Sequence, residues 1–127
     1  MGARNSRKSQ HINNMNCSAV RKTIDDLKER GNLSGVDIAN IVAVSKATVS
    51  RWSTGSATPL PKIQLILSDL RYVVDRLTEF YTPGETRVWL YARNELLGGK
   101  TAMELIHEGQ TDEVLQGIER LDAITYL

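Results

Sequence analysis

Residues 36–52, VDIANIVAVSKATVSRW, restrict the possible folds more than any other stretch of the chain. Two apolar-periodic segments meet there at Val44-Ser45, with neither glycine nor proline between them. Ile and Val at three- and four-residue spacing read as helix, and so short a join forces two helices to cross steeply around small residues. Ile38, Val42, Val44, Val49 and Trp52 fall at the core offsets of a helix-turn-helix, and Ala39 supplies the small residue at the crossing. Ala43 stands where such a turn often has glycine. An ordinary αα-hairpin buried in a bundle would want the same Ile and Val, so the exposed face has to separate the two. Ser45, Lys46, Ala47, Thr48, Ser50 and Arg51 project outward as short polar or basic groups with no acid among them. A neutral solvated face mixes in Asp or Glu, whereas a phosphate-facing one avoids them.

Helix geometry assigns these residues roles on double-stranded DNA. Ser45 is expected to bond a phosphate oxygen at the helix N-terminus, and Lys46 and Arg51 to meet guanine O6 and N7. Ala47 would touch a thymine methyl, and Thr48 and Ser50 would add phosphate or base contacts. Trp52 is read as core.

The rest of the chain is predicted to be helical. Residues 1–16 read as a disordered basic tail, free to lie along DNA or to stay idle. Ser18 is read as the cap of a helix running toward Arg30, with Gly31 as its stop. Ser34-Gly35-Val36-Asp37 is a capping-box-like start for the next helix, and Ser45 caps a third that ends near Trp52. Thr58-Pro59 is read as the restart, with Thr as cap and Pro at the first helical position. From there Ile63, Ile66, Leu70, Val73, Leu77 and Phe80 alternate three and four apart, widened by Leu67, Val74 and Tyr81. That stripe suits either a central core helix or a dimer seam. Thr82-Pro83-Gly84-Glu85 opens a helix expected to continue through Leu96-Leu97 to Gly98-Gly99. Thr101 with Glu104 opens a short one, and Thr111 opens the last, with Val114, Leu115, Ile118 and Leu121 inward. No stretch alternates with period two, so the fold class is all-α: a helix-turn-helix bundle (17–58), a long connecting helix (59–81) and a small helical C-terminal domain (82–127).

Composition narrows the function classes. The net charge of +1 averages two unlike halves: residues 1–62 hold ten basic against four acidic side chains, and residues 63–127 hold six against eleven. The split suggests two surfaces with different partners, the basic one suited to phosphate. Cys17 is the only cysteine, which excludes an intrachain disulfide and fits a reducing cytoplasm. No membrane partner is expected, since no apolar run approaches a membrane span and no signal peptide opens the chain. The opening MGARNS matches only a loose myristoylation pattern. His11 and His107 are the only histidines, and no HExxH, P-loop or GxGxxG occurs, so neither an enzyme nor a metal or other cofactor is expected.

Trp89-Leu90, Asn94, Leu97-Gly98-Gly99, Glu104-Leu105-Ile106, Gly109, Val114-Leu115, Ile118 and Leu121 follow the helix-turn-helix and the long helix in order. This combination resembles the Xre/MbcA/ParS antitoxin family over nearly all of the chain after the tail. Ala102 stands where the family often has Pro, and the closing Ala123-Ile124-Thr125-Tyr126-Leu127 lacks the Gly that tends to precede a terminal aromatic. The resemblance implies a type II antitoxin, working as a homodimer or within a toxin–antitoxin hetero-oligomer. Its partner would be a RES-domain toxin that degrades NAD. The second half would hold that toxin through Trp89, Asn94, Ile124, Thr125, Tyr126 and Leu127, the last four obstructing the NAD pocket. Simple docking of this end on its own domain is the other possibility. The first half would repress the shared operon at a DNA operator. The rival reading is a stand-alone dimeric helix-turn-helix regulator without a toxin.

Overall fold

A computed structural model describes residues 17–125, so the basic tail, Tyr126 and Leu127, with the expectations placed on them, lie outside the described residues. Seven α-helices succeed one another within that span. They are α1 (Cys17–Gly31), α2 (Gly35–Val42), α3 (Lys46–Thr54), α4 (Pro61–Leu77), α5 (Pro83–Tyr91), α6 (Ala102–His107) and α7 (Thr111–Thr125). The class is all-α, as expected, with one two-stranded ribbon between α5 and α6. No helix among the described residues is long and apolar enough to cross a membrane.

Three capping boxes set the register. Ser34 Oγ accepts from the Asp37 amide at 3.2 Å while the Asp37 carboxylate accepts from the Ser34 amide at 2.7 Å. Thr82 with Glu85, and Thr101 with Glu104, make the same reciprocal pair at the starts of α5 and α6.

Other boundaries move, each for a local reason. α1 starts at Cys17, one residue ahead of its expected cap. It ends at Gly31, and Asn32 just beyond takes the left-handed conformation (φ 53°). Space is tight at Gly31, where a Cβ would stand 3.2 Å from Val74 Cγ2. α3 runs two residues past Trp52, to a left-handed Gly55. α4 begins at Pro61, not Pro59. A residue before proline is pushed out of the helical region, and Leu60 is extended (φ −63°, ψ 154°), so a helix opened at Pro59 would break at once. The side-chain amide of Gln64 reaches back to donate to the Pro59 carbonyl at 2.7 Å.

α5 stops at Tyr91 instead of reaching Leu97. Asn94 Oδ1 accepts from the Leu96 amide at 2.9 Å, and that side-chain bond competes with helix continuation. Arg93–Asn94 (β1) pairs antiparallel with Lys100–Thr101 (β2), Arg93 opposite Thr101, and a 3₁₀ turn at Glu95–Leu97 lies between them. Gly98 and Gly99 close the ribbon at φ 67° and 83°, a pair of left-handed positions that a side chain would strain.

α4 is the central element, packed on α1 along one side and on α6 and α7 along the other. Leu67, Leu70, Val73, Val74 and Leu77 are buried, and Ile63 and Ile66 are partly so. The apolar stripe is therefore core. A second copy would have to meet α4 on its opposite face, where Leu65 and Tyr72 stand exposed.

Candidate functional site

α2 and α3 pack together through the expected core offsets. Ile38, Ala39, Val42, Val49 and Trp52 are buried, and Val44 packs against them from a half-buried position. Val49 and Trp52 are the two buried residues of α3, so one valine and one indole fix this helix on α1 and α2. Ala43 turns the chain at φ 59° in a left-handed conformation, a strain that only the surrounding packing sustains.

Ser45, Lys46, Ala47, Ser50 and Arg51 are exposed, and Thr48 is half-buried. From Ile38 to Ser68 the charged residues are Lys46, Arg51 and Lys62, with no carboxylate. Among the described residues, neither Lys46 nor Arg51 takes part in an ion pair, so both cations stay available to an outside anion. The N-terminus of α3 adds the positive end of the helix dipole.

One role shifts. Ser45 is the N-cap, its Oγ accepting from the Thr48 amide at 3.1 Å and lying 2.9 Å from Thr48 Oγ1. Its oxygen is thus committed inside the helix. Whichever of the two hydroxyls donates to the other, one hydroxyl hydrogen of the pair remains for a phosphate oxygen.

The C-terminal residues divide differently. Trp89 is buried at 8% exposure, and Asn94 is half-buried and caps the 3₁₀ turn. Trp89 thus packs within the domain, and Asn94 spends its side-chain oxygen on the Leu96 amide. Ile124 is 57% exposed near the end of α7, an apolar side chain left outside the core, and Thr125 closes that helix.

A network that the sequence did not reveal ties the two halves together. Asp37, beside the cap of α2, accepts hydrogen bonds from Arg87 and from the Tyr91 hydroxyl, both on α5. The Arg87 guanidinium also lies 4.8 Å over the Tyr91 ring. Burial works to raise the Asp37 carboxyl, but the bonds from Tyr91, Ser34 and Arg87 outweigh it and hold the group at about 2. Tyr91 is pushed up to about 12, first by burial of its hydroxyl and then by Asp37. His107 Nδ1 bonds the Ile41 carbonyl, and Thr111 Oγ1 donates to Asp69 at 3.0 Å, so α6 and α7 are pinned to α2 and α4. Fifty residues separate Asp37 from Arg87, and no spacing rule links such a pair.

Between α2, α5 and α6 lies an open cleft of about 240 Å³ lined by Asn40, Ile41, Tyr91, Met103, Glu104 and His107. Its titratable groups are already engaged, His107 with the Ile41 carbonyl and Glu104 with the cap of α6. No cluster of three metal-ligating side chains occurs among the described residues.

Comparison with known proteins follows this geometry. No family model matches the chain. The mycobacterial cidal antitoxin MbcA of Mycobacterium tuberculosis is 28% identical over 107 residues, covering 84% of this chain and 95% of the relative. The probable mycobacterial cidal antitoxin Rv3188 of the same organism is 32% identical over 96 residues, 76% of this chain and 81% of its own. Among solved structures, the M. tuberculosis MbcT–MbcA toxin-antitoxin complex contains a chain that superposes with a TM-score of 0.69 at 29% identity. That match covers 78% of this chain and 89% of that one. A match covering 84% of this chain takes in residues from both of its halves.

Proposed function

Because the chain belongs to the MbcA family of antitoxins, we propose that it neutralises a RES-domain toxin that degrades NAD and represses the operon encoding the pair. The observation that carries this reading is the similarity running through both halves of the molecule, in relatives that are themselves antitoxins. The toxin half of the proposal uses the end of α7, where Ile124 leaves its apolar side chain outside the core and Thr125, Tyr126 and Leu127 follow. These residues enter the toxin's NAD pocket, while Trp89 and Asn94 hold the domain that presents them. The acidic balance after residue 62 suits a basic cleft on the toxin. The DNA half uses Ser45 to Arg51, whose acid-free face meets an operator as a homodimer or within the toxin–antitoxin complex.

Co-expression tests the toxin half. With a RES-type toxin from the neighbouring reading frame, the full chain is expected to restore growth and to elute with the toxin as one species of defined mass. Removing residues 123–127 should release toxin activity while leaving duplex binding within about 2-fold, since these residues lie far along the chain from α3. Full inhibition by the truncated chain would show that this end does not block the toxin. Failure of the full chain to rescue or co-elute would leave the stand-alone regulator in its place.

A further inference from the structure

Arg51 is restrained before any ligand arrives. Its Nη2 donates to Thr48 Oγ1 at 3.1 Å, one turn back on the same face of α3. Thr48 Oγ1 in turn lies 2.9 Å from Ser45 Oγ, the cap of the helix. With Arg51 donating to it, Thr48 can pass its own hydrogen to Ser45, which leaves the Ser45 hydrogen for phosphate. The main chain is held as well. The Arg51 carbonyl accepts from the Ser56 amide at 3.0 Å, from Thr54 Oγ1 at 3.2 Å and from Ser56 Oγ at 3.3 Å.

A guanidinium carries five N–H donors in a rigid fork. Thr48 takes one of them, which leaves four for an outside acceptor. A free arginine has many rotamers to lose on binding, and a partner that fixes the fork beforehand lowers that cost and narrows the directions in which it can read. We propose that Thr48 is a positioning residue that sets the base specificity of Arg51, holding its fork toward a guanine edge without itself touching a base. The inference deepens the DNA-binding reading and rests on it.

The test uses the full chain and duplexes that it enriches from a random-sequence pool. Thr48→Val keeps the side-chain shape and the capping amide but deletes the hydroxyl. It is expected to weaken binding about 3- to 10-fold, to relax preference at the base pair that Arg51 reads, and to leave the salt dependence unchanged. Thr48→Ser, which restores the hydroxyl, should bind within about 2-fold of the parent. In an Arg51→Ala background Thr48→Val should cause no further loss, because a residue acting through Arg51 has nothing left to position. Additive losses in that cycle, or a serine variant as weak as the valine one, would overturn the inference by giving Thr48 a contact of its own. A parent chain that enriches no duplex would instead overturn the DNA-binding reading itself.

Discussion

Trp52→Ala is expected to destabilise the protein by about 3–5 kcal/mol and to abolish duplex binding with it. Trp52 is 3% exposed, and with Val49 it makes up the whole buried side of α3. Removing the indole leaves a nine-residue helix anchored by one valine, and a helix that short is not stable without tertiary support. Set against an ordinary domain stability of about 5–15 kcal/mol, the loss should lower the melting temperature by roughly 10–20 °C. Lys46→Ala makes the contrast. Its side chain is exposed and forms no ion pair among the described residues, so stability should stay within about 0.5 kcal/mol while affinity for a duplex falls. Thermal unfolding of both variants checks this. A Trp52→Ala protein as stable as the parent would mean that α3 is held by something other than its core.

The second large effect belongs to Asp37. Its carboxyl ionises at about 2 in the folded chain, below its ordinary 3.8. The stabilisation that follows is fully present above the ordinary value and drains away as pH falls from about 4 to about 2. A gap of that size corresponds to about 2 kcal/mol. Asp37→Asn removes the charge that Arg87 and Tyr91 face, and it weakens the box that starts α2. It should therefore cost about 2–3 kcal/mol at neutral pH. Its urea midpoint should also vary less than the parent's between pH 4 and 2.5. The same acid dependence in both proteins would place the titrating group elsewhere. Because this network joins α2 to α5, its loss should also loosen the packing between those two helices.

What could be read from the sequence was what lies within one turn. Ser34 with Asp37, Thr82 with Glu85 and Thr101 with Glu104 are each three residues apart, and all three form as written because both halves of the box sit in one local window. The core shared by α2 and α3 was equally legible, since a steep crossing admits few residues at Ile38, Ala39, Val49 and Trp52. Boundaries failed where two local signals competed. Pro59 and Pro61 both resemble a first helical residue, and the extended Leu60 between them decides for the second. Asn94 bonds its own backbone two residues on, and a strand two residues long has no period to detect. The burial of Trp89 is of another kind, because the packing of the whole C-terminal half sets it and no local window records that. The Asp37–Arg87–Tyr91 network depends on the fold that brings α5 to α2, so one sequence offers no sign of it.

Everything proposed for the first half depends on the exposed cations of α3 meeting bases. Titrating Arg51→Ala against duplexes enriched by the parent chain tests that most directly. The expected result is a loss of about 1–3 kcal/mol and of preference at one base pair, with the melting temperature unchanged. Parental affinity together with parental sequence preference would contradict it.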